Sequence, residues 1–285
     1  MSKAPSSPIL YDTSLRDGLQ ARGVNLSLAE KMQIFQFLAE LEIPYIECGW
    51  PGANPKDTQF FEHLKTTDSG KSNIVAFGST RKPKLRASLD PQILALKQAN
   101  TKVVTLVAKY HAKQVDDVLK TTLDENLNMI SESVSYFKDR GCEVIIDAEH
   151  FFDGFFYNES YTLDCLAQAK LAGADVVTLC DTNGGCMPEH ITSVVKQLEG
   201  YDLKLGIHCH NDCELAVANS LAAWQAGATF IQGTINGVGE RCGNANLTSL
   251  IPILQLKYGY TVIKESRLRD LSFYGKYLAI TTTRR

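Results

Sequence analysis

The sequence predicts a closed barrel of eight parallel strands, each followed by a helical segment: the (β/α)8, or TIM-barrel, class. Eight short apolar runs rich in Val and Ile alternate with longer amphipathic segments, as expected of strand–helix units around a buried parallel sheet. The eight units fill about 260 residues, close to the usual size of such barrels. A doubly wound open sheet is the alternative, but eight repeats favour closure.

The predicted strands are short apolar runs bounded by Gly, Asn, Asp or Pro, which suits buried parallel strands. They cover residues 9–12, 45–48, 74–77, 103–107, 143–147, 176–180, 204–208 and 230–235. Two similar tetrapeptides, AGAD at 172–175 and AGAT at 226–229, precede strands six and eight. They fit the turn by which a helix returns to the sheet.

The predicted helices lie between these runs. Ser27 and Glu30 form a capping-box pattern that opens a helix running to Leu41. Pro188 suits the first turn of another helix. The further helical segments are residues 123–140, 163–171, 191–198, 214–225 and 246–258, and glycines follow several of them as plausible C-caps.

Composition excludes some classes of function. The net charge is −3, without the basic excess of a nucleic-acid or membrane-surface protein. No apolar run approaches the ~20 residues that span a bilayer, and the first residues lack a secretory pattern. The eight cysteines form no CxxC pair and sit mostly in apolar segments. We therefore expect a reduced, cytoplasmic protein without a zinc ribbon.

The barrel class indicates where chemistry should occur, because its active sites lie at the carboxyl ends of the strands. His208 and His210 end strand seven and, being two apart, share one face. In a closed barrel strand eight neighbours strand one, so Asp17 and Asn244 can converge on the histidines. Two imidazoles, a carboxylate and an amide oxygen suit Zn, Mn, Co or Fe(II), and Mg less well. The alternatives are a chance or core histidine pair and a turn acid before Gly18.

Other polar residues also follow strand ends. Glu47 follows strand two, and Asp147 and Glu149 share a face at the end of strand five. Solvated loop acids are the alternative interpretation of the last two. The stretch GVGERCGN (237–244) is glycine-rich, but it matches neither a Walker sequence nor the dinucleotide fingerprint, so no nucleotide cofactor is predicted.

Three motifs carry a resemblance to a known family. DTSLRDGLQ (12–20), HCHND (208–212) and NGVGERCGNAN (236–246) are similar to the signatures of the DRE-TIM metallolyase superfamily. That superfamily includes isopropylmalate, homocitrate and citramalate synthases and hydroxymethylglutaryl-CoA lyase. The stretches ECGWPGANPKDTQFF (47–61), AFGSTRK (76–82), DAEHFFDGF (147–155) and LCDTNGG (179–185) resemble the citramalate synthase branch. The resemblance covers about residues 9–260.

The resemblance implies a role for each candidate residue. It implies that Asp17, His208, His210 and Asn244 bind one divalent metal ion (Zn, Mn, Mg or Co). It implies that Arg16 steadies the substrate oxygen, that Glu47 holds Arg16, and that Glu149 occupies a catalytic acidic position. Gln20 and Thr178 are expected to bind substrate, with Thr178 at the keto-acid carboxylate.

The implied reaction is a Claisen-type condensation of acetyl-CoA with pyruvate, which gives (R)-citramalate and CoA on the route to isoleucine. The implied assembly is a homodimer. Three alternatives remain: a different keto acid, giving 2-isopropylmalate or homocitrate; retro-aldol cleavage by a lyase; and a barrel that binds metal and keto acid without turnover.

The chain departs from the family pattern in places. The first motif has TSLRDGLQ where the type is TTLRDGAQ, and AKYHAKQV (108–115) differs from the family's run after strand four. Related synthases continue with a helical subdomain that supplies a histidine to the active site, but no histidine follows His210 here. We expect a catalytic barrel over residues 1–262, and over residues 263–285 the start of a truncated C-terminal subdomain.

Overall fold

A closed barrel of eight parallel strands in chain order forms the centre of the computed structural model, which describes residues 5–283. The fold prediction is therefore confirmed. The strands are β1 (Ile9–Asp12), β2 (Tyr45–Glu47), β3 (Asn73–Ser79), β4 (Val103–Lys109), β5 (Glu143–Glu149), β6 (Val176–Asp181), β7 (Lys204–Cys209) and β8 (Phe230–Gly233). Closure is made by β8 against β1, from Ile9 opposite Phe230 to Asp12 opposite Gly233.

Every predicted strand is present, and the differences lie at the ends. β8 ends at Gly233, two residues earlier than predicted, because the chain turns back there. A Cβ on Gly233 would come within 2.5 Å of the Ala245 carbonyl oxygen, so the returning chain packs directly on this glycine. Asn236, just beyond, has a left-handed φ of 60°, which ends the extended conformation.

Helices surround the barrel. They are α1 (Leu28–Glu40), α2 (Pro55–Leu64), α3 (Pro91–Ala99), α4 (Ala112–Asp117), α5 (Leu123–Lys138), α6 (Phe151–Tyr157), α7 (Glu159–Leu171), α8 (Pro188–Gln197), α9 (Ala216–Ala226), α10 (Leu247–Pro252) and α11 (Leu271–Thr283). The capping box at Ser27 is present with both of its hydrogen bonds, and Pro188 occupies the first turn of α8. α7 begins four residues before the predicted start because the Asn158 side chain caps it by accepting from the Tyr161 amide.

The lower half of the barrel is filled by side chains from the beginnings of the strands. Six buried residues form this layer: Tyr11, Val75, Val103, Ile145, Val176 and Phe230. Further along β4, Val107 and Lys109 share the inward face with Val103 and line a cavity. The packed layer therefore confines the cavity to the carboxyl ends of the strands.

The last described helix packs against the first. The Phe37 ring of α1 stacks on Tyr274 of α11 with ring centroids 4.6 Å apart, and the Tyr274 hydroxyl donates to Glu40. Asn236, beyond β8, donates to the Gly275 carbonyl oxygen at 2.7 Å. The division at residue 262 stays a prediction. Among the helices of the described chain, we find none long and apolar enough to cross a membrane.

Candidate functional site

A cavity of about 430 Å³ opens at the carboxyl ends of the strands. Six of the predicted site residues line it: Arg16, Asp17, Gln20, Glu149, His208 and His210. Glu47, Thr178 and Asn244 are buried beside or beneath it. The prediction that strand ends would bring distant residues together therefore holds for most of this set.

Asp17, His208 and His210 form a compact buried cluster in which one ligand atom from each residue lies within 4.8 Å of the others. Asp17 Oδ2 is 3.2 Å from His208 Nε2 and 3.9 Å from His210 Nε2. β7 ends between the two histidines, and Asp17 begins the turn of 3-10 helix that follows β1. The closure of β8 on β1 brings these two ends together.

Asn244 is brought beside His210 by a backbone pairing between loops. His210 and Asn244 form an isolated antiparallel bridge, beside which the Asn211 amide donates to the Gly243 carbonyl oxygen. Gly239 and Gly243 let the 237–244 loop fold tightly on itself, since a Cβ on Gly239 would lie 2.2 Å from Asn244 Nδ2. The glycines of the GVGERCGN stretch thus place a side chain rather than cradle a phosphate.

The polar atoms of the cluster suit a cation. Six buried side-chain N or O atoms lack a hydrogen-bond partner among residues 5–283, and Asp17 Oδ2, His210 Nδ1 and Asn244 Oδ1 are three of them. Buried polar atoms without partners are costly and rare. Carboxylate, imidazole and amide oxygen donors together match a borderline divalent ion.

The local charges favour the ligand forms of Asp17 and His210. Burial acts to raise the pKa of Asp17, but Arg16 and the two histidines outweigh it and hold that pKa well below its usual range. Burial, together with the nearby His208, lowers the pKa of His210 to about 4. At neutral pH the carboxylate is therefore ionised and the His210 imidazole neutral, as metal coordination requires.

Arg16 is held beside this cluster by the carboxylate of Glu47, whose two oxygens accept three hydrogen bonds in all. Its Nε donates to Glu47 Oε2 at 2.5 Å, and its guanidinium carbon lies 3.9 Å from the centre of the Phe77 ring. Glu47 is fully buried and also accepts from the Tyr11 and Thr13 hydroxyls, both at 2.6 Å. The guanidinium is thus fixed in orientation, and its Nη1 lies 3.5 Å from Asp17 Oδ1.

Two acids at the end of β5 face the cavity in different surroundings. Asp147 is almost fully buried, accepts from Gln232 Nε2 at 2.8 Å and lies 3.9 Å from Arg16 Nη2. Burial, followed by the charge of Glu47, raises the pKa of Asp147 to about 6. Glu149 is more exposed and forms an ion pair with Lys109 from β4.

Thr178 does not line the cavity, and its contact with substrate stays a prediction. Thr178 lies on the inward face of β6 but is fully buried and accepts a hydrogen bond from Gln232. Cys180 and Thr182, two and four residues on, line the cavity instead. The period-two alternation of the strand predicts all three as inward-facing, but it does not tell at which depth the cavity begins.

Sequence reasoning also missed Gln232, Trp50 and Phe77. Gln232 lies within a run that otherwise resembles core strand, and the two aromatic residues form an edge-to-face pair at 5.3 Å on the cavity wall. The register that pairs His208 with Gln232 was the available signal for the glutamine. It becomes visible only when strands seven and eight are aligned with each other.

Comparison with known proteins assigns the chain to a group. The model of the HMGL-like family matches residues 7–273. The (R)-citramalate synthase of Aquifex aeolicus is 51% identical over 95% of this chain and 52% of its own length. That of Synechocystis is 49% identical over 98% of this chain and 53% of its own length. The chain thus spans about half the length of these curated relatives.

More distant relatives are named for other reactions. The 2-isopropylmalate synthase of Sulfurisphaera tokodaii is 34% identical over 92% of this chain and 66% of its own length. Among solved structures, an HMG-CoA lyase from Acinetobacter baumannii in complex with coenzyme A and 3-methylmalate has a TM-score of 0.80 at 20% identity. The match covers 97% of this chain and 91% of that one. At that identity the likeness supports the barrel fold.

Proposed function

The chain belongs to the HMGL-like family, and from this premise we propose that it catalyses a metal-dependent condensation of acetyl-CoA with pyruvate. The products would be (R)-citramalate and CoA. The observation that carries the proposal is the buried Asp17–His208–His210 cluster with the fixed guanidinium of Arg16 beside it. The higher identity to (R)-citramalate synthases, 51% against 34% for the 2-isopropylmalate synthase, supports pyruvate as the keto acid.

Asp17, His208, His210 and Asn244 would hold one divalent ion, either Zn, Mn, Mg or Co. Bound there, the ion would supply a Lewis acid for the keto carbonyl. His210 contributes as a neutral imidazole because its pKa is lowered to about 4. Asn244 contributes its Oδ1 atom, which has no hydrogen-bond partner within the described chain.

Arg16 would stabilise the negative charge that develops on the keto oxygen during carbon–carbon bond formation. Glu47 and the Phe77 ring fix its orientation before substrate arrives, so little reorganisation is needed when the charge appears. Glu47 is a positioning residue in this scheme. Its two carboxylate oxygens already accept three hydrogen bonds, so it is not placed to accept a proton from substrate.

Glu149 is our candidate for the base that removes a proton from the acetyl methyl group. It lines the open part of the cavity, where a thioester must enter. Asp147 is the competing candidate, because its raised pKa of about 6 lies nearer to neutral pH. Both acids are engaged, Glu149 by Lys109 and Asp147 by Gln232 and Arg16, but Asp147 is the more deeply buried, so we assign it to holding the site in place.

A second cleft beside the first cavity offers room for a long thioester co-substrate. This cleft, of about 650 Å³, lies between the loops that follow β1 and β2 and shares Arg16, Gln20 and Trp50 with the first cavity. A CoA arm could lie there while its acetyl group reaches Arg16. After the methyl carbon has lost its proton and bonded to the keto carbon, the keto oxygen takes up a proton. Water then cleaves the thioester and releases CoA.

The test is CoA thiol release by the purified, metal-loaded chain with acetyl-CoA and a panel of keto acids. We expect release with pyruvate to exceed release with 2-oxoisovalerate or 2-oxoglutarate. Preference for either of those would reassign the chain to 2-isopropylmalate or homocitrate synthesis. Acetoacetate formed from hydroxymethylglutaryl-CoA would indicate the lyase. If no assay detects turnover while the metal stays bound, the remaining function is binding of metal and keto acid.

Two variants divide the roles within the site. Arg16→Ala should retain bound metal but lose turnover by at least a hundredfold, since its proposed role is charge stabilisation. Glu149→Gln should lower kcat by about a hundredfold or more, as loss of a general base does. Asp147→Asn serves as its comparison. A larger loss in Asp147→Asn than in Glu149→Gln would move the base to Asp147.

A further inference from the structure

Gln232 of β8 contacts three residues through one carboxamide. Its Oε1 lies 2.8 Å from His208 Nδ1, and its Nε2 donates to Asp147 Oδ1 at 2.8 Å and to Thr178 Oγ1 at 3.2 Å. The side chain is 1% exposed and does not line the cavity. It therefore contacts His208 from the packed interior of the barrel and not from the cavity.

The orientation of this amide is determined by its neighbours. An ionised carboxylate only accepts hydrogen bonds, so the NH2 group of Gln232 must face Asp147. The amide oxygen must then face His208, which leaves Nδ1 of that ring as the donor. The flipped amide would set its oxygen against the Asp147 carboxylate oxygen and would lose this hydrogen bond.

We propose that Gln232 is a positioning residue that keeps a proton on Nδ1 of His208 and thereby turns Nε2 towards Asp17 and the proposed metal site. The inference rests on the proposed metal site for its consequence, but the hydrogen bond from Nδ1–H to Oε1 is a property of the metal-free chain. Partners of this kind, behind a metal-binding histidine, set its ring orientation and basicity.

The alternative is that Gln232 merely fills the barrel interior. The two interpretations differ in what they predict for isosteric changes. Gln232→Leu keeps approximate volume but removes the acceptor for His208. Gln232→Glu keeps that acceptor, replaces the donors to Asp147 and Thr178 by a carboxylate oxygen, and adds a charge beside Asp147. Thr178→Val is the matched control, because it removes one partner of the amide and leaves the His208 contact intact.

The first measurement is the 15N NMR spectrum of the histidine side chains in metal-free protein, at about pH 9, where imidazoles are normally neutral. We expect Nδ1 of His208 to carry a proton in the wild type, in Gln232→Glu and in Thr178→Val. In Gln232→Leu the acceptor for that proton is gone, so we expect the ring to carry a proton only on Nε2, which faces Asp17. A wild-type His208 with no proton on Nδ1 would overturn the proposal without any variant, so the test survives a failure of Gln232→Leu to fold.

The second measurement is affinity for Zn²⁺ by chelator competition. The dissociation constant should rise about tenfold to a hundredfold in Gln232→Leu, the usual cost of losing such a partner. Thr178→Val, which leaves the His208 contact and the local charge unchanged, should stay within about threefold of wild type on the same reasoning. An unchanged constant in Gln232→Leu contradicts the proposal. Absence of CoA release by the wild type would count against the proposed reaction alone, because both measurements are made without substrate.

Discussion

Two groups of buried polar side chains adjoin Arg16 and differ in how completely their atoms are hydrogen-bonded. The first, which we call the Glu47 network, comprises Tyr11, Thr13, Glu47 and Thr105. The Tyr11 hydroxyl donates to Glu47 and lies 2.8 Å from the Thr105 hydroxyl. The second is the candidate metal-binding cluster of Asp17, His208, His210 and Asn244, in which all but His208 have a buried polar atom with no partner among the described residues.

The contrast separates buried polar residues that stabilise the fold from buried polar residues that are placed to bind an ion. The Glu47 network satisfies its own atoms, so removing a member leaves a buried group unpaired and should reduce stability. The candidate metal-binding cluster leaves polar atoms unpaired in the metal-free chain. Cation binding should therefore stabilise the fold, and substitutions in the cluster should mainly weaken metal binding. Three substitutions test this division, from the largest expected effect to the smallest, and a fourth concerns Asp12, a buried acid outside both groups.

His208→Ala should abolish metal binding. The change removes one of the imidazoles around Asp17, and losing a ligand should cost more than the tenfold to hundredfold typical of a partner behind one. Metal content after dialysis, measured by mass spectrometry, should fall from about one ion per chain to none. His150→Ala, at a half-buried histidine outside the cluster, is the control. Equal metal in both variants would dismiss the cluster as a metal site.

Glu47→Gln should destabilise the fold while leaving metal content near that of the wild type. The change neutralises the buried partner of Arg16, and breaking such a pair costs about 3–5 kcal/mol. Because Asp17 and Asp147 also lie within 4 Å of Arg16, the lower end of that range is expected. Urea unfolding of the metal-free protein measures it. Full stability together with lost metal would reverse the comparison.

Tyr11→Phe should have a smaller effect of the same kind. It removes the hydroxyl that donates to Glu47 and leaves the ring packed in the lower layer of the barrel. Losing a hydrogen bond to a charged group costs about 2 kcal/mol. The free energy of urea unfolding should fall by that amount, with no change in Zn²⁺ affinity. A change in affinity without a change in stability would mean that the two groups are not separate.

Asp12→Asn should change how stability depends on pH. Burial raises the pKa of the fully buried Asp12 to about 7, with Ser14 opposing and Glu47 adding to the rise. The folded state thus retains a proton that the unfolded state has lost, so stability falls as pH rises through 7. This residue should account for about 1.4 kcal/mol of the fall between pH 6 and pH 8. Urea unfolding at both pH values should show a fall smaller by that amount in Asp12→Asn.

The barrel was predictable because its strands have a strong local signature. Apolar runs such as that of β6 are buried on both faces, so they are conspicuous in the sequence. The helix that follows β2 was given no predicted bounds, although Asn54 and Pro55 form a cap and first turn there. The boundary errors fall at turns such as Gly233, where contact with the distant Ala245 decides the chain path.

The sequence predicts which residues of the site face inward, but not at which level along the strands the cavity begins. His208 and His210 follow from the alternation of side chains along a strand. Thr178 has the same alternation but lies below the cavity, while Thr182 reaches it. Gln232 escaped notice because its importance comes from the residue opposite it on the neighbouring strand. Depth and cross-strand register depend on closure of the whole barrel.

The closure of β8 on β1 has a consequence for how the protein is made. Asp17 follows β1 and leaves the ribosome before Asn244, which follows β8, and these two strands pair only when the sheet closes. A nascent chain that ends before β8 holds Asp17 and both histidines without the strand that joins them. High-affinity metal uptake should therefore begin only when the barrel has closed, and a bound ion would stabilise the closed barrel.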